Sequence, residues 1–206
     1  MKKYKDFIVL IILTMGSQAL IYYLIKLFIT DYHIINSFLS VPLIKPFIYF
    51  YDSWYPFIII CAFLVYKNSK DTFRYLIATM LLTALMAQIT FIIYPSMVVR
   101  PDIEVHSVTD WLINYTYKGD NPPVNCLPSM HCVYCFITSY YILKCKNLKN
   151  KWLVVGYSML IVLSTMFVKQ HVVEDVLLAL IYTAFAILIV HVNKDRIINT
   201  FKKVLK

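Results

Sequence analysis

Residues 75–94 read YLIATMLLTALMAQITFIIY, twenty positions without a charge between Arg74 and Pro95. At about 1.5 Å per residue such a helix is about 30 Å long, the thickness of a bilayer's hydrocarbon core. The same texture recurs on both sides of it. The chain has 206 residues, 60% hydrophobic and 15% charged, with three glycines and a mean hydropathy of +0.67. A soluble domain carries about 25% charged residues, so the apolar excess is too large for one globular core. Blocks of similar length fall near 7–29, 46–66, 128–144, 152–168 and 172–192, which with 74–94 makes six spans. The fourth is short and carries Ser129, His131 and Ser139. Pro95 ends the third span and Pro128 opens the fourth, both at boundaries where proline is tolerated. The start, Met1–Asp6, is basic and precedes a long apolar run, as in a secretion signal. No small-x-small cleavage site follows, so an uncleaved first membrane helix is expected. The gaps between blocks are short. The expectation is an all-α membrane protein with six transmembrane helices, forming a single integral membrane domain over 1–206.

The net charge of +9 is distributed unevenly. Lys2, Lys3 and Lys5, then Lys67, Lys70 and Arg74, then Lys144, Lys146, Lys149 and Lys151, then Lys194, Arg196, Lys202, Lys203 and Lys206 fall on one side. These are fifteen of the twenty basic residues; Lys26, Lys45, Arg100, Lys118 and Lys169 fall on the other. The asymmetry puts both termini in the cytoplasm. It also makes the positive charge a topology signal with some attraction to anionic lipid, so no nucleic-acid partner is expected. The outer side then holds the 30–45 connection, the 95–127 loop and a tight turn near 169–171. The long loop is mostly acidic, with Asp102, Glu104, Asp110 and Asp120, and loops of that length tend to be functional. Asn114-Tyr115-Thr116 within it is a short match to a glycosylation acceptor. The five cysteines are odd in number and four lie in or beside apolar runs, which argues against a disulfide framework. Cys132-x-x-Cys135 reads as a pair of small buried hydrophobes.

Three short stretches carry chemistry, all at the outer ends of spans: Arg100-Pro101, Pro128-Ser129-Met130-His131, and Ser164 through His171 to Asp175. Each residue alone has an ordinary explanation. Arginines snorkel to headgroups, interfacial histidines are hydrogen-bonded, and Glu174 and Asp175 suit the positive end of a helix. Together they are harder to dismiss, because ionisable groups at membrane depth are costly. His171 and Asp175 are four apart and share a helix face. The carboxylate can hold one imidazole nitrogen as N–H and leave the other free to attack. His131 can protonate a leaving oxygen. Arg100 offers paired planar donors for phosphate oxygens, and Ser129, Ser164 and backbone N–H groups at the helix start after Pro128 offer more. No HExxH, Walker loop or GxSxG occurs, so metalloprotease, nucleotide-hydrolase and serine-hydrolase readings lack support.

In order, spacing and membrane side these stretches resemble the type 2 phosphatidic acid phosphatase superfamily, which shares its core with vanadium haloperoxidases. Its motifs run K-x6-R-P, P-S-G-H and S-R-x5-H-x3-D; the resemblance covers about 75–190. It implies a metal-independent and cofactor-free lipid phosphatase or phosphotransferase in a cell membrane, a bacterial plasma membrane with the site facing outside. His171 would be the nucleophile, His131 the general acid and base, and Asp175 the group that orients His171. Arg100, Ser129, Met130, Ser164 and Lys169 would surround the phosphate. The sequence departs from the motifs at Ile93, Met130 and Thr165, where the family has lysine, glycine and arginine. Lys169, close to His171, is the candidate to replace a lost cation. The expected activity is hydrolysis of a lipid phosphate or polyprenyl diphosphate. A first alternative is transfer of a phospho-headgroup between lipids, because the Asn125–His131 and Lys169–His171 stretches are similar to inositol phosphorylceramide and sphingomyelin synthases. A second, of another class, is a non-catalytic lipid carrier or transporter. The oligomeric state and the lipid tail stay open.

Overall fold

The structure, a computed structural model, describes residues 4–204. Lys2, Lys3 and Lys206, used above for the charge asymmetry, lie outside the described residues. The chain is helical, with one minimal pair of strands. The helices are α1 (Lys5–Phe28), α2 (Ile48–Asp52), α3 (Trp54–Asn68), α4 (Lys70–Ile93), α5 (Val108–Gly119), α6 (Met130–Lys144), α7 (Lys151–Phe167), α8 (Val173–Val192) and α9 (Lys194–Val204). Four helical stretches are long and apolar enough to cross a membrane: Lys5–Phe28, Lys45–Asn68, Lys70–Ile93 and Val173–Val192. The expected fourth and fifth spans are shorter, 15 residues in α6 and 17 in α7.

α6 sits at the centre of the bundle. It packs against α3, α4, α7 and α8 together, and Cys132, Val133, Cys135, Ile137 and Ile142 are fully buried. The outer helices show the opposite pattern. α1 leaves Ile12, Leu20 and Phe28 exposed, and α8 leaves Leu180, Ile181 and Leu188 exposed, apolar faces suited to lipid. Several hydroxyls inside the bundle are satisfied locally. Thr79 donates to the Tyr75 carbonyl and meets the Tyr141 hydroxyl at 2.8 Å, and Ser158 donates to the Cys135 carbonyl at 3.0 Å. Without such bonds each would carry a desolvation cost of about 1–3 kcal/mol. All five cysteines are free and buried.

One end of the bundle is shaped by breaks in its helices. Pro56 has no N–H for the Asp52 carbonyl four residues back, and the helix from Ile48 is interrupted at Ser53 before resuming at Trp54. Across the same end, strands His33–Ile34 and Ser96–Met97 pair in parallel, and Met97 bridges to Val124. His33 stacks on Tyr94 at 4.6 Å. The 95–127 segment, expected as loop throughout, contains α5. Ser107 caps it by accepting from Asp110 N at 3.2 Å, and Asp110 takes an ion pair from Lys45 at 2.6 Å. Those contacts hold the Asp110 carboxyl down at about 2.

Candidate active site

The histidine–carboxylate half of the site begins with how α7 ends. Lys169 has φ 57, the left-handed turn that commonly terminates helices. The amides of Gln170 and His171 both donate to the Thr165 carbonyl at 3.0 Å. α8 then starts at Val173 with Asp175 in its first turn. Asp175 Oδ2 accepts from Val172 N at 3.1 Å and lies 2.9 Å from His171 Nδ1. A carboxylate only accepts, so Nδ1 carries the proton and Nε2 is the free nitrogen. Asp175 is wholly buried. Burying a carboxylate costs several kcal/mol unless it is paired, so the pair is held by necessity as well as by geometry.

The second histidine comes from α6. Ser129 caps that helix with its hydroxyl, accepting from Cys132 N at 3.4 Å, and its own amide donates to the Asp175 carbonyl at 3.2 Å. The starts of α6 and α8 are thus fastened to each other, which brings the His131 and His171 rings to 5.8 Å between centroids. His131 packs between Tyr51 at 4.7 Å and Trp54 at 4.5 Å, and Trp54 Nε1 donates to the His131 carbonyl at 3.1 Å.

Both histidines line a cavity of about 510 Å³, together with Met130, Asn125, Cys126, Asp120 and Gln170. Arg100 lies behind this wall. Its guanidinium stacks over Tyr117 at 4.9 Å, pairs with Asp120 Oδ2 at 2.5 Å, and donates to Gln170 Oε1. Tyr22 donates to the other oxygen of Asp120. Around the cavity, several buried donors have no protein partner among the described residues: Arg100 Nε, Gln170 Nε2 and Asn125 Nδ2. Unused N–H groups at that depth are expensive, and they suit an anion.

Of the sequence-expected phosphate residues, Met130 lines the cavity and Arg100 is one hydrogen bond from it. Ser129 is buried in its capping role. Ser164 is buried and donates to the Ile161 carbonyl at 2.6 Å. Lys169 is turned to the Val41 carbonyl and does not line the cavity. Ile93 is exposed at the end of α4, and Thr165 is buried and donates to the Val162 carbonyl. Sequence reasoning missed Tyr22, Tyr51, Trp54 and Asp120 as cavity residues. The aromatic cluster Tyr49–Tyr55 was a visible signal, and the distant Tyr22 offered none.

One trio among the described residues has metal-ligand spacing: donor atoms of Cys126, His171 and Asp175 lie within 4.8 Å of one another. Some of its donor atoms are already engaged. Burial pushes the Cys126 thiol well above its ordinary value, its S–H donates to the Pro123 carbonyl at 3.2 Å, and the Asp175 oxygen is bonded to His171 and Val172.

The family model described as the PAP2 superfamily matches residues 18–189. No curated protein and no solved structure matches the chain.

Proposed function

The chain belongs to the PAP2 superfamily, the type 2 phosphatidic acid phosphatases, and on that premise we propose that it is a membrane enzyme that dephosphorylates a lipid phosphate or polyprenyl diphosphate through a phosphohistidine. Phosphatase-type activity on a phosphorylated substrate goes with the family. The observation that carries the finer reading is the buried His171–Asp175 pair beside His131, on a cavity ringed by unused N–H donors.

His171 Nε2 attacks phosphorus in line, and the phosphorus–oxygen bond to the lipid breaks. His131, made imidazolium as the substrate's phosphate charge arrives beside it, gives its proton to the departing oxygen. Arg100, Gln170 and Asn125 take the equatorial oxygens, whose charge is what such a transition state needs stabilised. Water then gives a proton to His131 and attacks phosphorus, the nitrogen–phosphorus bond breaks, and His171 is restored. No step calls for a metal or a cofactor. In this reading α6 and α7 complete six crossings, residues 1–206 form one membrane domain, and both termini are cytoplasmic. The site then opens to the outside of a bacterial plasma membrane.

A second reading, headgroup transfer between lipids, is favoured by the shortage of cations. Ile93 and Thr165 replace two of them, and Arg100 is already paired with Asp120. A phosphodiester carries one negative charge against up to two on a monoester, so it asks less of such a site. The full chain in detergent, offered phosphatidic acid, polyprenyl diphosphate, or a phosphodiester donor with diacylglycerol, separates the readings. Phosphate release that disappears in His171→Ala means hydrolysis. A new lipid without free phosphate means transfer. A folded protein with no turnover on any of them sinks both and leaves a lipid carrier. A chelator should leave the rate unchanged, and strong inhibition contradicts the metal-free steps.

A further inference from the structure

Arg100 stands in a partition between the histidine cavity and a second cavity of about 370 Å³. We propose that this second cavity is a phosphate site, occupied by the phosphate released at His171 as it leaves. The binding stands on the cavity alone, and the role in release rests on the hydrolytic reading above. The two cavities share no lining residue. The end of α5 and the segment after it divide them. Thr116, Gly119 and Asp120 line the histidine cavity, whereas Tyr117, Lys118 and Asn121 line the second.

Charge separates the two spaces. Among the described residues no lysine or arginine lines the histidine cavity, whereas Asp52 and Asp120 do. The second cavity is lined by two cations, Arg100 and Lys118, against one carboxylate, Asp102. Lys118 is exposed and has no hydrogen bond or ion pair among the described residues. The Arg100 side chain is only 8% exposed, and its Nε has no partner among the described residues. One terminal nitrogen donates to the Tyr117 and Asp120 carbonyls at 3.4 and 3.0 Å, which neutralises the negative end of α5. The other meets Asp120 and Gln170. An unused N–H at that depth is costly. A guanidinium with a free donor suits phosphate oxygens, and the lysine beside it adds a mobile point charge.

The products of hydrolysis need different ways out. The lipid alcohol is apolar and returns to the bilayer, while a free phosphate is too costly to desolvate to follow it. It is left among carboxylates that repel it. Arg100 contacts Gln170, which lines the histidine cavity, and itself lines the second. Phosphate therefore passes from one face of that guanidinium to the other, drawn by Lys118, and Asp120 retakes Arg100 behind it. No covalent bond changes in this step.

Binding and turnover test this separately. Calorimetry on the full His171→Ala chain in detergent, where no phosphohistidine can form at that position, should still show binding of inorganic phosphate. Adding Lys118→Glu should weaken it about 10-fold. Absence of binding, or binding indifferent to Lys118→Glu, overturns the proposal. So does looser binding in Asp102→Asn, which would make the ligand a cation. Glycerol phosphate offers the same oxyanion as a lipid headgroup would. If it binds and inorganic phosphate does not, the cavity is a headgroup site and the exit role is lost. In turnover of phosphatidic acid by the unsubstituted chain, inorganic phosphate should lower kcat, because it sits in the second cavity while lipid fills the first, and Lys118→Glu should relieve that inhibition. Inhibition that excess lipid fully reverses overturns the assignment. Failure of the histidine chemistry looks different: lipid turnover that survives His171→Ala, with the binding results unchanged.

Discussion

The proposed nucleophile and the proposed phosphate clamp are built in opposite ways. His171 and Asp175 lie four residues apart at one helix start, and the bond between them closes within a single turn. Arg100 is positioned by Tyr117, Asp120 and Gln170, drawn from α5, the cap beyond it and the turn after α7. The first is a local device that any sequence with this spacing can form. The second depends on three segments arriving together, and it includes an acid that competes with the substrate for the arginine. The difference teaches that the histidine–carboxylate pair is fixed by short-range geometry, while the surroundings of Arg100 are set by assembly.

The strongest way to break the contrast is at the nucleophile. His171→Ala should reduce kcat by about 10⁴-fold or more, with loss of an acid-labile phosphoprotein trapped by rapid quench. Retained labelling would move the nucleophile elsewhere. His131→Ala should cost about 10²–10⁴-fold, and less on a substrate whose leaving group needs no proton, such as a nitrophenyl ester. An equal loss on both substrates would deny His131 the role of acid. At the clamp, Arg100→Lys keeps charge but loses the planar fork. It should cost about 10-fold in kcat/KM, well below the histidine effects, and a larger loss would make the two halves equivalent.

The smallest effect belongs to the anchor of α5. The folded Asp110 carboxyl is held at about 2, below the ordinary carboxylate value near 4. The stability it contributes is therefore present above about pH 4 and is lost as pH falls through the folded value. Hydrogen exchange at the start of α5 should stay slow down to about pH 4 and speed up only below it, and Asp110→Asn should remove that dependence.

Much of this was legible beforehand because it rests on local rules. Charge-free runs of bilayer length gave the helices, and Ser129, Pro128 and the His171-x3-Asp175 spacing marked the residues that line up at the cavity. Lys169 was misleading for a local reason as well: its left-handed backbone ends α7 and sends the side chain to Val41. α5 escaped notice because its polar residues read as loop, although Ser107 and Asp110 form a cap. The interruption at Ser53 was foreshadowed by Pro56, yet its consequence, Tyr51 and Trp54 against His131, was not.

By itself, then, the sequence determined the apolar helices, the histidine pair and the carboxylate that orients one of them. These depend on composition and on spacings within a helical turn. Only the tertiary structure decided that Asp120 occupies Arg100, that Ser164 and Lys169 stand away from the cavity, and that rings from α1, α2 and α3 wall it. Those rest on contacts between residues up to 128 positions apart, settled by packing around α6, and no spacing along the chain encodes them.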